Sequence, residues 1–326
     1  MSPSPWPRKS GPTRRGILGG FVAAGAVGIP FLTRTAAAQA GGSGDIRMQA
    51  RMFFEPHIPS ALRRALQYAG EHGFVASMPQ LLHARTNASY DNVIWNTWFT
   101  ANSEENVVTT PRGKHVVVAV HGGGILASPA RMERSLHSDL SRDNPEGLTG
   151  QTAIKISQQE ARDVLQGKLP DGSEIPVYPF AEFKRGVANL PRRYGVVLDF
   201  ELARQAKRGY ERFEVLKDEP NMIVRAGGVE PLAAYLDKFQ ARNNTDLMGN
   251  WHPYNRIDPD QPQVRIPFLA GNRGGTGSEG KDQGLGWGYD AEYGMGGDAS
   301  TVGMARYVAV APMDIATSLR DLDFEL

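Results

Sequence analysis

Apolar and polar positions alternate along this chain in short blocks, and the most regular block is the apolar run "HVVVAV" beginning at His115. Its length, its valines and the turn residues around it predict a strand buried on both faces rather than a helix. The run passes through His121 into Gly122, Gly123 and Gly124. Ser128 and Pro129 then form an N-cap and first-turn pair for a helix over "PARMERSLHSDL". The same grammar recurs twice. Tyr194 to Leu198 reads as a strand ending in Asp199 and Glu201 before a helix, and Met222 to Arg225 reads as a strand followed by Gly227, Gly228 and a helix. Three strand-turn-helix units predict an α/β fold, a mixed sheet covered by helices.

Further strands are expected over "DIRMQARMFF", over "NVIWNTWF" with Trp95 and Trp98 in the core, and over "ARYVAVAPM". Helices are expected over "SALRRALQYAGEHG", opened by Ser60 and closed at Gly70 or Gly73, and over "SQQEARDVLQG". In the second, Ser157 and Glu160 make a capping box and Gly167 a stop. Pro170-Asp171-Gly172 marks an irregular hairpin or loop. Eleven glycines between 271 and 297 predict a long glycine-rich loop, either a plain surface excursion or a functional loop with Trp287, Tyr289 and Tyr293 as stacking surfaces.

The first forty residues stand apart: a basic opening, an apolar run from Ile17 to Leu32 and a small-residue ending at Ala38-Gln39-Ala40. That is the tripartite pattern of a secretory signal. Within it "TRRGILG", with Arg14 and Arg15 adjacent, resembles the twin-arginine (Tat) consensus. The resemblance implies export of a folded chain by the Tat translocase to the periplasm or beyond. The apolar run, rich in glycine and interrupted by Pro30, is short of the roughly twenty residues a stable membrane span needs. Residues 41–326 are then expected to form a single mature α/β domain. Residues 1–40 hold Arg8, Lys9, Arg14, Arg15 and Arg34 and no acid, so the rest keeps 31 basic and 35 acidic side chains. This mildly acidic balance gives no basis for nucleic-acid binding. Cysteine is absent, which excludes disulfides, thiolate metal sites and a cysteine nucleophile.

In open α/β sheets ligands bind beyond the carboxyl ends of the strands. That rule selects His121, Asp199 and Glu201 as candidate catalytic residues, and as candidate ligands for one divalent metal ion if a metal is bound. It selects the amides of Gly122, Gly123, Gly124, Gly227 and Gly228 as candidate ligand-binding donors. Each group also has a structural reading. His121 can hold a loop by hydrogen bonds, Asp199 and Glu201 can cap a helix, and the glycines can serve tight turns. His252, Asp258 and Asp260 lie in a turn-rich stretch with weak calcium potential and are read as structural.

Three resemblances bear on the chemistry. "HGGG" resembles the oxyanion-hole motif of hormone-sensitive-lipase-type α/β-hydrolases, which implies backbone donors facing an oxyanion. The nucleophile elbow of that family is matched only by "TGSEG" around Ser278, which begins with Thr276 inside the glycine-rich loop. "HGGGIL" and "VYPFAEFKRG" are also similar to segments of phage-type poly-γ-glutamate hydrolases, zinc amidohydrolases in which the His binds metal. Leu126 stands where that family has a metal-binding Glu, and no histidine lies close after the second segment to supply a third ligand, the next being His252. "LDFE" resembles the strand-end D-x-E pattern of some glycosidases, which implies an acid and a nucleophile. Together these give two expectations. One is an exported hydrolase acting on a polymer or small molecule at the envelope or outside the cell, with or without a metal. The other is a non-catalytic periplasmic ligand-binding or envelope protein. Whether the chain is an enzyme stays open at this point.

Overall fold

A computed structural model of the chain describes residues 48–55, 57–137, 145–149, 153–206, 209–250, 254, 257–269, 287–289 and 305–312. Strand β1 (Met48–Glu55) leads into α1 (Ile58–Ala69), β2 (Phe74–Val75), α2 (Met78–Asn87), α3 (Val93–Asn96) and β3 (Phe99–Thr100). A long hairpin follows, β4 (Ser103–Thr109) and β5 (His115–His121), then α4 (Pro129–His137), β6 (Leu148–Thr149), β7 (Ala153–Lys155) and α5 (Gln158–Leu165). Next come β8 (Val177–Pro179), α6 (Phe180–Arg185), β9 (Tyr194–Asp199), α7 (Phe200–Ala203), β10 (Gly209–Arg212) and α8 (Phe213–Leu216). The chain continues through α9 (Pro220–Ala226), α10 (Val229–Asn243), β11 (Leu247–Asn250), β12 (Gln263–Arg265), β13 (Pro267–Leu269), β14 (Trp287–Tyr289) and β15 (Ala305–Pro312).

The fold is mixed α/β. Among the described residues the largest sheet has the order β6-β7-β12-β4-β5-β9-β8, a second runs β10-β11-β14-β13-β3, and a third runs β1-β15-β2. Most neighbours are antiparallel; β8 with β9 and β11 with β14 are parallel. β1 and β15 pair along their whole length, from Met48 opposite Pro312 to Glu55 opposite Ala305, which ties the two ends of the described chain together.

The valine run forms β5 as its composition demands. Val116, Val118 and Val120 pack in one core cluster on one face, while Val117 and Ala119 face clusters on the other. The capping box at Ser157 and Glu160, the Ser128 cap and the closure of α1 at Gly70 all form as the sequence predicts.

One expected strand is part helix and another is wholly helix. "NVIWNTWF" splits into α3 and β3, because the Asn92 side chain accepts from Ile94 N–H at 3.0 Å and starts a helical turn. Trp95 is fully buried, while Trp98 is only partly so. "NMIVR" belongs to α9, with Glu219 as N-cap, accepting from Asn221 and Met222 N–H at 3.1 and 2.8 Å, and Pro220 in the first turn. Its glycines therefore end a helix, not a strand. Ser60 lies inside α1, whose N-cap is His57. The glycine-rich stretch 271–297, Trp287–Tyr289 of β14 apart, and the whole of the expected signal segment lie outside the described residues.

What the pattern did not predict is β4. Asn102 to Asn106 is an unbroken polar run, "NSEEN", yet every one of these residues is buried, because β4 sits between β12 and β5 in the middle of the large sheet. Glu105 is held by Arg225 of α9 through a bidentate pair, Nε to Oε1 at 2.6 Å and Nη2 to Oε2 at 3.1 Å, and the Tyr254 hydroxyl donates to the same carboxylate. Burial pushes the Glu105 carboxyl up, but the guanidinium outweighs it and holds the group down to about 2. Glu105→Gln is expected to destabilise the protein by about 3–5 kcal/mol in urea denaturation, because it strands the buried Arg225 charge. Lys114→Ala removes the exposed 2.7 Å pair with Asp199 and is expected to cost less than about 1 kcal/mol.

Candidate functional site

Three amides and one imidazole gather where β5 ends. Gly122 and Gly123 take φ of 88° and 106°, a region open to glycine, and both donate to the Asn102 carbonyl, at 2.9 and 3.1 Å. Gly124 leads into a 3₁₀ turn, Ile125–Ala127. A Cβ on Gly124 would lie 1.7 Å from Oε1 of Glu104, so this glycine exists to admit a carboxylate. Glu104 Oε1 accepts from Ile125 N–H and Oε2 from Leu126 N–H, the latter at 2.9 Å. The amides after the strand do meet an acidic group, and it is the protein's own Glu104.

His121 is fully engaged as well. Val224 O can only accept, so Nε2 carries the proton and donates to it at 3.0 Å. Nδ1 then accepts from the Ser103 hydroxyl at 2.9 Å, and Ser103 Oγ accepts from Met78 N–H at 2.9 Å. One neutral imidazole thus joins β5, β4, α2 and α9. Burial lowers its pKa to about 4 against the opposing pull of the Val224 carbonyl. With neither nitrogen's lone pair nor proton turned outward, His121 does not fit as a zinc ligand or a general base in this conformation.

The other candidates separate. β5 and β9 are antiparallel, with His121 opposite Tyr194 and Val116 opposite Asp199, so Asp199 lies five residues away along the strand, about 17 Å. The expected convergence of His121 with Asp199 and Glu201 in one crevice is not formed. Asp199 is the N-cap of α7, accepting from Leu202 N–H at 3.1 Å, and Lys114, hydrogen-bonded to it, holds its carboxyl below the usual range. Glu201 is exposed and pairs with Arg204 at 3.2 Å. Gly227 and Gly228 do lie at the His121 end, on the turn after Val224, but their N–H groups close α9 on Val224 O and Ile223 O. A Cβ on Gly227 would sit 2.9 Å from Pro79. Among the described residues no three His, Asp or Glu side chains gather as a metal set. Asp258 accepts from Asp260 N–H at 3.0 Å in a local turn; His252 and Ser278 lie outside the described residues. "VYPFAEFKRG" spans β8 and α6, at the far edge of the large sheet.

Sequence reasoning missed Ser103, which holds the histidine, Glu104, which occupies the loop, and Glu105, which holds Arg225. The signal that could have found them is the hairpin. Five residues, "TPRGK", separate "NSEENVVT" from a strand that must be buried on both faces, so its hairpin partner is buried too.

The outer side of the glycine loop remains open. Ile125 and Ser128 form one wall of a cleft of about 240 Å³, faced by Arg134, Asp163, Lys168 and Leu169 from α4, α5 and the turn after it. Arg131 at its back is spent on Glu160 at 2.8 Å and on the Lys155 carbonyl at 3.0 Å.

No protein-family model matches the chain, and no curated protein does. Among solved structures, one described as "Accommodation of massive sequence variation in Nanoarchaeota by the C-type lectin fold" is similar over 80% of this chain and 97% of its own, with 23% identity and a TM-score of 0.55. That likeness speaks to fold: the chain has a C-type-lectin-like architecture.

Two predictions follow from the loop. Gly124→Ala is expected to destabilise by about 3 kcal/mol or more, read by thermal or urea unfolding, because the new methyl displaces the Glu104 carboxylate. Burial also pushes the Glu104 pKa from 4.5 up to about 7, against the Leu126 and Ile125 amides that lower it. The folded state therefore holds a proton that the unfolded chain releases, and this group's contribution to stability falls as pH rises from 4.5 to 7. His121 works in the opposite sense, its contribution falling as pH drops from 6.5 to 4, so the two slopes offset each other. Glu104→Gln removes the first slope alone. Its stability relative to the parent chain is expected to rise by roughly 3 kcal/mol between pH 4.5 and pH 7.5; a flat difference would show that Glu104 does not titrate there.

Proposed function

We propose that this chain is an exported, non-catalytic ligand-binding protein whose recognition surface includes the cleft between the glycine loop and α5. The observation that carries the proposal is the internal use of the amides after His121: Gly122 and Gly123 donate to the Asn102 carbonyl, and the Ile125 and Leu126 amides that follow donate to Glu104, whose carboxyl fills the space beside Gly124. His121 is committed to Ser103 and Val224, and Asp199 and Glu201 lie at the other end of the sheet. Beside the loop lies a cleft lined by the charged side chains Lys168, Arg134 and Asp163 over the buried Ile125 and Leu169, a composition suited to holding a small polar ligand.

The C-type-lectin-like architecture supports this reading as an analogy of fold. In the similar protein that fold accommodates massive sequence variation. A core fixed by buried polar contacts, as here, leaves surface loops free to change without loss of the fold, which suits recognition better than catalysis. The twin-arginine segment supports export.

The test is a titration of the purified protein against a panel of neutral and acidic saccharides, with each probe recovered and weighed by mass spectrometry. Saturable binding, unaltered probe and a roughly tenfold or greater loss of affinity in Lys168→Glu are expected. Conversion of a probe, or binding indifferent to Lys168→Glu and Arg134→Glu, would count against the proposal. Export is checked separately: replacing Arg14 and Arg15 by Lys is expected to retain the chain in the cytoplasm.

A further inference from the structure

The outer edge of β1 is an eight-residue strand edge with no partner strand among the described residues, since the sheet order places β1 outside β15. Such an edge is a row of unpaired backbone donors and acceptors, and proteins that stay monomeric usually blunt it with lysine, proline or a bulge. Met48–Glu55 contains no lysine and no proline, and it pairs with β15 residue for residue without a bulge. Its Phe54 is 47% exposed. The Arg306 guanidinium lies 4.8 Å from the Phe54 ring and 4.7 Å from the Trp98 ring, a grouping of aromatic and arginine side chains typical of interface anchors.

We propose that β1 is a homodimer interface, in which β1 pairs antiparallel with β1 of a second copy about a twofold axis. The register can be argued from the edge itself. In an antiparallel pair, residues directly opposite share hydrogen-bonding character, so identical strands must pair odd with odd and even with even. At one end the Gln49 carbonyl is already taken by the Tyr68 hydroxyl at 3.4 Å; at the other, Pro56 has no N–H. The window between them is Ala50 to Glu55, and an axis at Phe53 falls within it. That register sets Arg51 opposite Glu55 of the second copy, twice by symmetry, and Met52 opposite Phe54. Shifting the axis to Arg51 would oppose like charges. Arg51 and Glu55 lie on the face of β1 that α1 covers, with Arg51 5.9 Å from the Tyr68 ring and Glu55 paired with Arg64, and Arg51 is exposed there. The second copy's Arg51 would complete an Arg-Glu-Arg row across the axis, and the two three-stranded sheets would become one of six strands.

Sedimentation velocity of the purified full chain over a concentration series tests this. A concentration-dependent dimer is expected, weakened roughly tenfold or more in Arg51→Glu, where two attractive cross-strand pairs become repulsive. Phe54→Lys, which places a lysine on the edge, is expected to dissociate it too, with the folded monomer retained by circular dichroism. Because the chain has no cysteine, an equimolar mixture of Met52→Cys and Phe54→Cys chains reports the register directly: oxidation is expected to join unlike chains in preference to like ones. A chain that stays monomeric throughout, a dimer indifferent to both Arg51→Glu and Phe54→Lys, or crosslinking without preference would overturn the proposal.

Discussion

The structure depends on how β4 distributes two adjacent carboxylates. Alternation along a strand sends Glu104 and Glu105 to opposite faces of the same central strand, and neither face offers water. Each carboxylate must therefore find its partners inside the protein. Glu105 meets a full countercharge in Arg225 and stays ionised; Glu104 meets two amides and a more distant Arg131, and burial raises its pKa to about 7. The difference arises from partner type: amides offset desolvation only in part, whereas a bidentate guanidinium outweighs it. Around these two anchors the rest is arranged. Arg225 fixes α9, α9 supplies the carbonyl that holds His121, and Glu104 fixes the turn that starts toward α4.

This arrangement answers why a buried strand should run into bare backbone. The requirement for glycine is steric at Gly124, where the carboxylate occupies the volume of a side chain, and conformational at Gly122 and Gly123, where φ is positive. A glycine-rich loop behind a strand shows only that amides face something negative or polar. Here the partner comes from the neighbouring strand, so the motif that resembles an oxyanion hole is a device for joining β4 to the loop.

How far the sequence disclosed this follows from what each signal measures. Apolar periodicity is a local record of burial, and it located β5, β9, β15 and the start of β1, whose side chains are apolar because their surroundings are. It could not locate β4, where Ser103, Glu104 and Asn106 are buried through pairing with partners that lie far along the chain, such as Leu126 and Val118. The same locality misassigned "NMIVR". Four apolar residues followed by glycines suit a strand or a helix equally, and the deciding residues, Glu219 and Pro220, lie just before the run. The candidate site was legible only in that amides after β5 meet polar groups: Gly122 and Gly123 meet the Asn102 carbonyl, and the acidic group sits on the Ile125 and Leu126 amides, which the sequence did not single out. Which groups these are, and the separation of Asp199 from His121, depended on strand direction, and an antiparallel β5–β9 pair places their ends apart where a parallel pair would have brought them together.

A core built this way favours uniqueness of structure over raw stability. Apolar side chains tolerate small shifts of register, but a bidentate guanidinium pair, a singly protonated imidazole between a hydroxyl and a carbonyl, and a carboxylate seated on one glycine each fit a single alignment of β4 against its neighbours. A one-residue slip of β4 that brought Glu104 to Arg225 would set Ser103 against the Ile125 amide and carry Glu105 to the position of Asn106, leaving one buried carboxylate without its partners. The register of the large sheet is therefore fixed by charge as well as by shape. The alignment that fixes it consumes the histidine and glycines that the sequence offers for catalysis, and leaves the outer surfaces of the loop and the edges of the sheets as the places where this chain can meet other molecules.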